Sequence, residues 1–318
     1  MPFVRELLKY KSVAVVGMEK NCGKTECLNY ILRRLPADSP KTCVTSIGVD
    51  GESTDSVTNT RKPSITLRKN ICFATSEAHY RNRRLVSEIM GISEEGSALG
   101  RIITAKTVSE GEIILSGPSS TGYLKRWMKE AEQYGIELTL IDGALSRMSS
   151  ASPAISEAMV LATGAALSSN LATLVNQTAF RVEMIRLPVV DGNIPEEKTV
   201  QLSSLNQEAT VPDYCEAVEI KGALTDRLLT KLLQGGDVGR YTVIVKDFAK
   251  IFINPMTYRR FTKAGGRIAQ QESSKLLAVC VNPTSPEGYR LDSDKLCREL
   301  SDKIQLPVYD IIKNNYLD

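Results

Sequence analysis

Histidine is almost missing from this sequence, since His79 is the only one among 318 residues. A single histidine excludes zinc sites that are built from several histidines. A Ser-His-Asp mechanism would depend on this one residue, and no nucleophile motif lies near it in the sequence. We therefore interpret His79 as a surface position of a helix.

Paired cysteine motifs are missing as well. The chain has seven cysteines, an odd number, and no two of them are spaced as Cys-x-x-Cys. This pattern is typical of reduced thiols that pack as small apolar side chains in a cytosolic protein.

Long apolar runs and a strong charge imbalance are also missing. The most apolar long segment, residues 154–175, contains Glu157 and Asn170, which favours packed helices over a membrane span. The amino-terminal residues mix charged with apolar side chains, unlike a signal peptide. A net charge of +3 gives no reason to expect nucleic acid or a membrane as a partner. We expect a cytoplasmic protein.

The stretch around which the chain is organised runs from residue 12 to residue 32. Residues 12–17 are mostly small or β-branched apolar residues, which favours a buried parallel strand. Leu28, Ile31 and Leu32 then recur at helical spacing. The loop between strand and helix ends in Gly-Lys-Thr, and in such loops the backbone N–H groups and the helix N-terminus bind phosphate.

This loop contains most of the predicted nucleotide site. Lys24 is expected to reach the β- and γ-phosphates and to act in catalysis, and the Thr25 hydroxyl is expected to bind Mg²⁺. The predicted nucleotide-binding residues of the loop are Gly17, Asn21, Cys22, Gly23, Lys24, Thr25 and Glu26. The alternative is a strand-turn-helix whose glycines only permit a tight turn.

The spacing of the glycines in this loop limits the set of protein families that the chain resembles. Five residues separate Gly17 from Gly23, whereas the usual phosphate-binding loop has four. A longer loop of this kind resembles that of dethiobiotin synthetases and CTP synthases, which belong with the MinD ATPases to one superfamily of P-loop proteins. MinD-type ATPases carry a second lysine five positions before the main one. Glu19 occupies that position here, and Lys20 is assigned no such role.

Two aspartates are predicted to complete the site. Asp50 follows the predicted strand 42–47, and Asp142 ends the apolar strand 138–142. A carboxylate at the carboxyl end of a strand beside a phosphate loop can hold Mg²⁺ or orient an attacking water. We predict Asp142 as a metal ligand together with Thr25, and Asp50 as a metal ligand and catalytic residue. Because a glycine follows Asp50, a turn aspartate is the equal alternative there.

Asn282 is predicted as a further cofactor-binding residue. It follows the predicted strand 276–281 and begins a proline-rich loop, which suits a rigid turn at the ligand-binding edge of a sheet. In dethiobiotin synthetases an asparagine in a comparable loop contacts the nucleotide base, so the resemblance implies this role for Asn282. A purely structural turn is the alternative. The sequence has no guanine-specific Asn-Lys-x-Asp motif, which favours ATP.

Two other loops are candidates for movement or substrate contact. The polar loop 53–62 is long enough to act as a lid or switch. Residues 116–122 form a second glycine-rich turn after a strand. Without a lysine this turn is weak as a phosphate site, but it suits a substrate or a partner.

The alternation of strands and helices predicts an α/β fold with a doubly wound, mostly parallel sheet of the P-loop NTPase type. We predict a nucleotide-binding domain over residues 1–187. Residues 188–318, which begin with a proline-rich linker, are predicted to form a C-terminal α/β domain or a continuation of the same sheet. The local predictions are a hairpin of 64–67 with 71–75, a helix over 77–90, an edge hairpin of 101–107 with 112–116, and helices over 154–185.

Segments along nearly the whole chain resemble the P-loop reactivase subunit associated with lysine 5,6-aminomutase, an adenosylcobalamin enzyme. These segments are residues 16–25, 45–52, 141–147 with 151–153, and 281–286. The resemblance implies binding and hydrolysis of ATP with Mg²⁺, which would help a damaged cobalamin to leave the mutase. It implies two protein partners, the aminomutase and a second ATPase subunit resembling MutS proteins. Homodimer formation is left open.

Two other functions stay open at this point. One is an ATP-dependent ligase that acts on a small carboxylate or carbamate, as dethiobiotin synthetase does. That family has a substrate lysine just after the second strand. This chain has no lysine at the corresponding residues 49–51, and Lys62 lies too far along the chain to take that role. The other is a nucleotide-binding module without turnover, which would follow if the extra loop residue keeps Lys24 from the γ-phosphate.

Overall fold

The computed structural model of the chain describes residues 2–47, 64–144, 152, 155–190, 195–203 and 210–315. The α-helices in these ranges are α1 (Pro2–Leu7), α2 (Lys24–Arg34), α3 (Glu77–Arg81), α4 (Thr121–Ala131), α5 (Leu171–Ile185), α6 (Asp226–Gln234), α7 (Pro255–Lys263), α8 (Ser293–Ile304) and α9 (Ile311–Asn315). The strands are β1 (Ser12–Gly17), β2 (Thr42–Ser46), β3 (Ile65–Leu67), β4 (Cys72–Ser76), β5 (Ser87–Ser97), β6 (Gly100–Thr107), β7 (Gly111–Ile113), β8 (Leu138–Ala144), β9 (Ala158–Gly164), β10 (Thr199–Ser203), β11 (Ala217–Lys221), β12 (Leu224–Thr225), β13 (Thr242–Val245), β14 (Ile251–Phe252), β15 (Arg267–Gln270), β16 (Lys275–Asn282) and β17 (Val308–Asp310).

A nine-stranded sheet organises the first part of the fold. Its strand order is β17-β16-β9-β1-β8-β2-β4-β6-β5. The strands from β17 to β4 pair in parallel, and β6 and β5 add an antiparallel pair at one edge. The chain is therefore an α/β protein with a large, mostly parallel central sheet, as the sequence predicts.

The sequence of β1 explains its position inside this sheet. Every residue from Ser12 to Gly17 is buried. A strand that is covered on both faces needs apolar residues at successive positions rather than in alternation, and residues 13–16 meet this requirement. β1 pairs with β8 on one side and with β9 on the other, so it lies between other strands and not at an edge.

Helices cover both faces of the nine-stranded sheet. Ala105 of β6 belongs to the apolar core that also contains Leu28 and Ile31 of α2. The preceding residue, Thr104, accepts a hydrogen bond from Nε1 of Trp127 in α4 at 3.0 Å. Because successive residues of a strand point to opposite faces, α2 and α4 lie on opposite faces of the sheet.

A second compact unit is formed mainly by residues 179–274. It contains a four-stranded parallel sheet with the order β10-β11-β13-β15. Within this unit, the amide of Gln270 donates to the backbone O of Leu187 at 2.8 Å, which connects the end of β15 to the segment that follows α5.

The observed division of the chain differs from the predicted one at residue 187. The first unit ends near residue 178 and resumes at Lys275, because β16 and β17 belong to the nine-stranded sheet. The predicted C-terminal portion is thus split between a separate sheet and a continuation of the first sheet. Local sequence patterns indicate strands but not which sheet they join, since that choice depends on tertiary pairing.

The prediction of helices over 154–185 is wrong for its first part. Residues 158–164 form β9, which lies between β1 and β16. The helix α5 begins only at Leu171. All residues of β9 are buried, and a short apolar run of this kind shows no alternation that would distinguish a strand from a helix.

Both predicted hairpins are also wrong. β3 pairs with β7, while β4 pairs in parallel with β2 and antiparallel with β6. The chain does turn between β3 and β4, where Asn70 has a left-handed φ of 70°. An antiparallel hairpin lies at the sheet edge as expected, but β5 and β6 form it. Turn residues indicate a change of direction and not the partner of the next strand.

The predicted helix over 77–90 is much shorter than expected. α3 ends at Arg81, and β5 begins at Ser87. Ile89 and Ile92 are β-branched, and Gly91 disfavours a helix, so these residues suit a strand better than a helix.

Segments with clear local signals are confirmed. These are the helix α2 and the strands β1, β2, β6, β8 and β16. The proline-rich segment that begins at residue 188 is followed by the strand β10. No helix in the part of the chain described here is long and apolar enough to cross a membrane.

Candidate functional site

The loop of residues 18–23 joins β1 to α2 at the carboxyl edge of the nine-stranded sheet. The strand order changes direction at β1, with β8, β2 and β4 on one side and β9 and β16 on the other. In open α/β sheets, ligands bind in the crevice at such a position. The N–H of Met18 donates to the O of Ala162 at 2.9 Å, which ties the start of the loop to β9.

Two residues of the loop have a left-handed backbone. Asn21 has a φ of 60° and Gly23 a φ of 91°, and asparagine tolerates this conformation better than most residues. Gly23 is also tightly packed, because a Cβ there would lie 2.8 Å from the Cβ of Asn282 and 3.3 Å from Cδ1 of Ile311. Conformation and space both require glycine directly before α2.

Cys22 fills the interior of the loop. Its thiol donates to the O of Ala162 at 3.3 Å, and a Cβ at Gly17 would come within 2.7 Å of the Cys22 sulfur. Burial raises the pKa of the Cys22 thiol, although the backbone N–H of Glu19 and the charge of Lys24 act in the opposite direction. The side chain of this predicted nucleotide-binding residue therefore supports the loop from inside.

Several backbone N–H groups of the loop have no acceptor. Within the described residues this holds for Asn21, Gly23, Thr25 and Glu26, whereas the N–H of Cys27 donates to the O of Gly23 at 2.9 Å. Because Gly23 occupies the N-cap position, no side chain caps α2 either. An open helix N-terminus preceded by unpaired loop amides attracts anions.

Lys24 and Asp142 form an ion pair at this edge. The Nζ of Lys24 lies 3.0 Å from Oδ1 of Asp142, and the two side chains are 25% and 19% exposed. The pair forms because β8 lies next to β1, where Asp142 is the register partner of Val15. The structure thus brings together the predicted phosphate-binding lysine and one predicted metal ligand.

The second glycine-rich turn reaches the same edge of the sheet. The N–H of Gly117 donates to Oγ of Ser46 at 3.1 Å. A Cβ at Gly117 would lie 1.8 Å from the O of Ser46, so only glycine fits there. Ser46 is in turn the register partner of Asp142. The predicted substrate loop, residues 116–122, therefore begins beside β2. This strand pairs with β8, which carries Asp142.

A buried polar cluster next to this turn was missed by sequence reasoning. Oγ of Ser116 lies 2.6 Å from Oγ of Ser76 and 2.7 Å from Nδ1 of His79. The assignment of His79 to a helix surface is wrong, because only 9% of the residue is exposed. A signal was present in the sequence. Ser76 and Ser116 each follow an apolar run, which indicates that both lie near the same sheet edge.

Asn282, at the end of β16, packs against Gly23 of the loop 18–23. Its Oδ1 accepts a hydrogen bond from the N–H of Thr284 at 3.0 Å, and its backbone O accepts one from Ala165 at 2.9 Å. Together with its contact to Gly23, these bonds give Asn282 a structural role in the turn. The contact of Asn282 with a nucleotide base stays a prediction.

The other predicted site residues are only partly described. Thr25 and Glu26 lie in the first turn of α2 and are half-buried. Asp50 and the loop 53–62 lie outside the described residues, so their predicted roles stay predictions. In the part of the chain that the structure describes, no three His, Cys, Asp or Glu residues are grouped as a metal site.

Comparisons with protein-family models, with curated proteins and with solved structures find no match to this chain.

Proposed function

We propose that this chain is a Mg²⁺-dependent ATPase that binds the triphosphate at residues 17–25. The observation that carries the proposal is the ion pair of Lys24 and Asp142, 3.0 Å apart, beside the open N-terminus of α2. An ammonium group, a carboxylate and unpaired backbone N–H groups thus lie at the edge of the sheet where α/β proteins bind ligands.

Each of these groups has a role in binding phosphate. The N–H groups of Asn21, Gly23 and Thr25 donate to phosphate oxygens, and the positive end of the α2 dipole favours the same anion. Lys24 offsets the negative charge of the terminal phosphates. Phosphoryl transfer depends mainly on positioning and on such electrostatic stabilisation, so the chain needs no covalent nucleophile.

The residues present fit Mg²⁺. Magnesium prefers oxygen ligands, and the Thr25 hydroxyl and the Asp142 carboxylate would hold it. When bound, the ion neutralises charge on the phosphates. Because Asp142 is paired with Lys24, the lysine gives up this ion pair when its ammonium group binds phosphate. The carboxylate then becomes available as a ligand.

We extend the proposal to the reactivation of an adenosylcobalamin-dependent aminomutase. The resemblance of four sequence segments to the reactivase subunit supports this step, and three of them contain Lys24, Asp142 and Asn282. The geometry of the site supports the nucleotide part of the function. The aminomutase and the MutS-like ATPase are proposed as partners on the resemblance alone.

A ligase that acts on a small carboxylate or carbamate is the second candidate. The observation that favours it is the hydrogen bond from Gly117 to Ser46, the register partner of Asp142. A co-substrate held by residues 116–122 would then lie near the proposed phosphate site.

Calorimetric titration with ATP and Mg²⁺ tests the nucleotide part. The variant Lys24→Ala should lose at least tenfold in ATP affinity, about 1.4 kcal/mol, because the terminal phosphates lose their counter-charge. Lys129→Ala, which removes an exposed lysine of α4, is the matched control and should bind ATP as the unmodified chain does. Equal ATP affinity in the Lys24 and Lys129 variants would remove Lys24 from the site.

Phosphate release distinguishes the two candidate functions. Stimulation by a cobalamin-inactivated aminomutase supports the reactivase, and stimulation by a small carboxylate with stoichiometric product supports the ligase. ATP binding without any phosphate release would leave a nucleotide-binding module and contradict both.

A further inference from the structure

Apolar side chains are concentrated at one edge of the nine-stranded sheet. Val86, Ile89, Ile92 and Val108 each expose between 45% and 60% of their surface. They make up four of the eight large apolar side chains that are exposed in the described part of the chain. Such clustering distinguishes an interaction surface from the scattered apolar residues that every protein surface carries.

The strand that carries two of these residues is the outermost strand of the sheet. β5 is 11 residues long, contains no proline and pairs only with β6 among the described residues. The outer backbone groups of residues 87–92 have no partner in the same part of the chain. Long edges of this kind recruit another strand unless something protects them.

A β-bulge brings the two isoleucines of β5 to one face. Ile89 is the register partner of Ala105, and Ile92 is the register partner of Ile103. Ala105 and Ile103 are two positions apart and therefore share a face. The extra residue, Met90, shifts the alternation of β5, so that Ile89 and Ile92 share this face although they are three positions apart.

The opposite face of β5 is already occupied by α4 and the turn after it. The hydroxyl of Tyr123 donates to Oγ of Ser93 at 2.6 Å, and a Cβ at Gly91 would meet the hydroxyl of Tyr134. These contacts cover one face of β5. The face with Ile89 and Ile92 stays exposed.

Charges of opposite sign lie at the two ends of the segment of β5 that carries the isoleucines. Nε of Arg83 donates to Oγ of Ser87 at 3.1 Å, and its guanidinium stacks on Tyr80 at 3.9 Å from the ring centroid. Glu94 lies in a second irregularity of β5, between Ile92 and Gly96, and is exposed, with no ion pair in the described chain. A positive charge therefore lies beside the first residue of β5, and a negative charge lies in its second half.

We propose that two copies of this chain pair through β5, antiparallel and edge to edge, around a two-fold axis perpendicular to the sheet. Antiparallel pairing with Ile89 opposite Ile92 of the second copy unites four isoleucines on one face. The same register puts Glu94 opposite Ser87 of the second copy, whose Oγ holds Arg83. The symmetry repeats this charge pair, and Glu88 faces Ser93 rather than another acid.

The resulting dimer joins two nine-stranded sheets into one continuous sheet and covers the open β5 edge of each copy. Its contacts lie on β5 and not on residues 17–25, so the dimer does not depend on nucleotide binding. A second copy is the occupant that fits, because both its apolar stripe and its charge order are self-complementary under this symmetry.

Light scattering coupled to size-exclusion chromatography tests the proposal on the full chain. The expected mass is twice the 34.9 kDa of one chain over roughly a hundredfold range of concentration. The double variant Ile89→Lys with Ile92→Lys should elute as a monomer, with unchanged circular dichroism and thermal unfolding. Phe252→Lys, at an apolar residue 54% exposed on β14, is the matched control and should stay dimeric.

A charge exchange tests the register. Glu94→Arg should weaken the dimer roughly tenfold, because the new arginine repels Arg83 of the second copy. The combined variant Glu94→Arg with Arg83→Glu restores opposite charges and should recover most of that loss. A monomer at every concentration, or a dimer that resists the lysine substitutions, would overturn the proposal. An unrecovered loss in the combined variant would overturn this register.

Discussion

Gly23 and Asn282 are in direct contact, since a Cβ on Gly23 would lie only 2.8 Å from the Cβ of Asn282. Gly23 precedes α2 near the start of the chain, and Asn282 ends β16 near its finish. The conformation of the loop 18–23 therefore depends on the return of the C-terminal segment to the first sheet. Loss of this contact should affect stability and nucleotide binding together.

The variant Gly23→Ala tests this contact. Alanine at a φ of 91° costs about 1–2 kcal/mol for the left-handed backbone, and its Cβ also meets Asn282. We expect a lower urea midpoint and weaker ATP binding than in the unmodified chain. Gly122→Ala is the matched control, because the nearest atom to a Cβ there, Nη1 of Arg126, is 3.6 Å away. Equal stability of the two variants would contradict the steric account.

The variant Asp142→Asn tests the proposed metal ligand. Asparagine keeps the shape of the side chain but loses the charge that pairs with Lys24 and attracts Mg²⁺. We expect ATP binding to change less than Mg²⁺-dependent phosphate release, which should fall at least tenfold. Phosphate release measured over a series of Mg²⁺ concentrations checks this. Asp294→Asn, at an exposed aspartate that pairs with Lys313, should release phosphate at the original rate.

The variant Ser116→Ala tests the buried polar cluster. Oγ of Ser116 contacts Ser76 at 2.6 Å and Nδ1 of His79 at 2.7 Å, so its removal takes a hydrogen-bond partner from both. We expect a loss of about 1–3 kcal/mol in the free energy of unfolding, measured with urea. Ser119→Ala changes an exposed serine of the same turn and should have little effect. A stability equal to that of the Ser119 variant would show that the cluster contributes nothing.

The pH dependence of stability tests the burial of the thiols. Burial raises the pKa of Cys297 from its ordinary value of 9.0 to about 11 in the folded chain. The unfolded chain therefore loses this proton first, and the free energy of unfolding should fall as the pH rises from 9 to 11. Burial also raises the pKa of Cys43, which adds to the same trend.

Urea unfolding at several pH values measures this slope. Cys297→Ala should unfold with a shallower slope above pH 9, the ordinary pKa of the thiol. Below pH 9, the Cys297 thiol is mostly protonated in both the folded and the unfolded chain. Its titration should therefore not change the free energy of unfolding there. An unchanged slope in the variant would show that Cys297 titrates alike in the folded and unfolded chains.

The segment from β1 to α2 could be predicted because its signals are local. An unbroken apolar run, Gly-Lys-Thr and apolar residues at helical spacing lie within some twenty positions of the chain, and β1 and α2 begin and end close to the predicted residues. Asp142 could likewise be named from an apolar strand that carries an aspartate. Its distance of 3.0 Å from Lys24 could not be predicted, because it requires β8 beside β1.

The misses have a common cause. β9 was assigned to a helix because a run buried on both faces has no alternation, and only its neighbours β1 and β16 require an extended chain. His79 was assigned to a surface because its partner Ser116 lies far away in the sequence. In each case the deciding contact joins segments that are distant along the chain.

The sequence by itself determined the α/β class, the glycine-containing loop between β1 and α2 and the residue types in it, because periodicity, turn residues and short motifs act over a few neighbouring positions. Only the tertiary structure decided the order of the strands, the return of β16 and β17 to the first sheet, and the meeting of Lys24, Asp142 and Asn282 at one edge. These features depend on which surfaces bury each other, and that is a property of the whole folded chain.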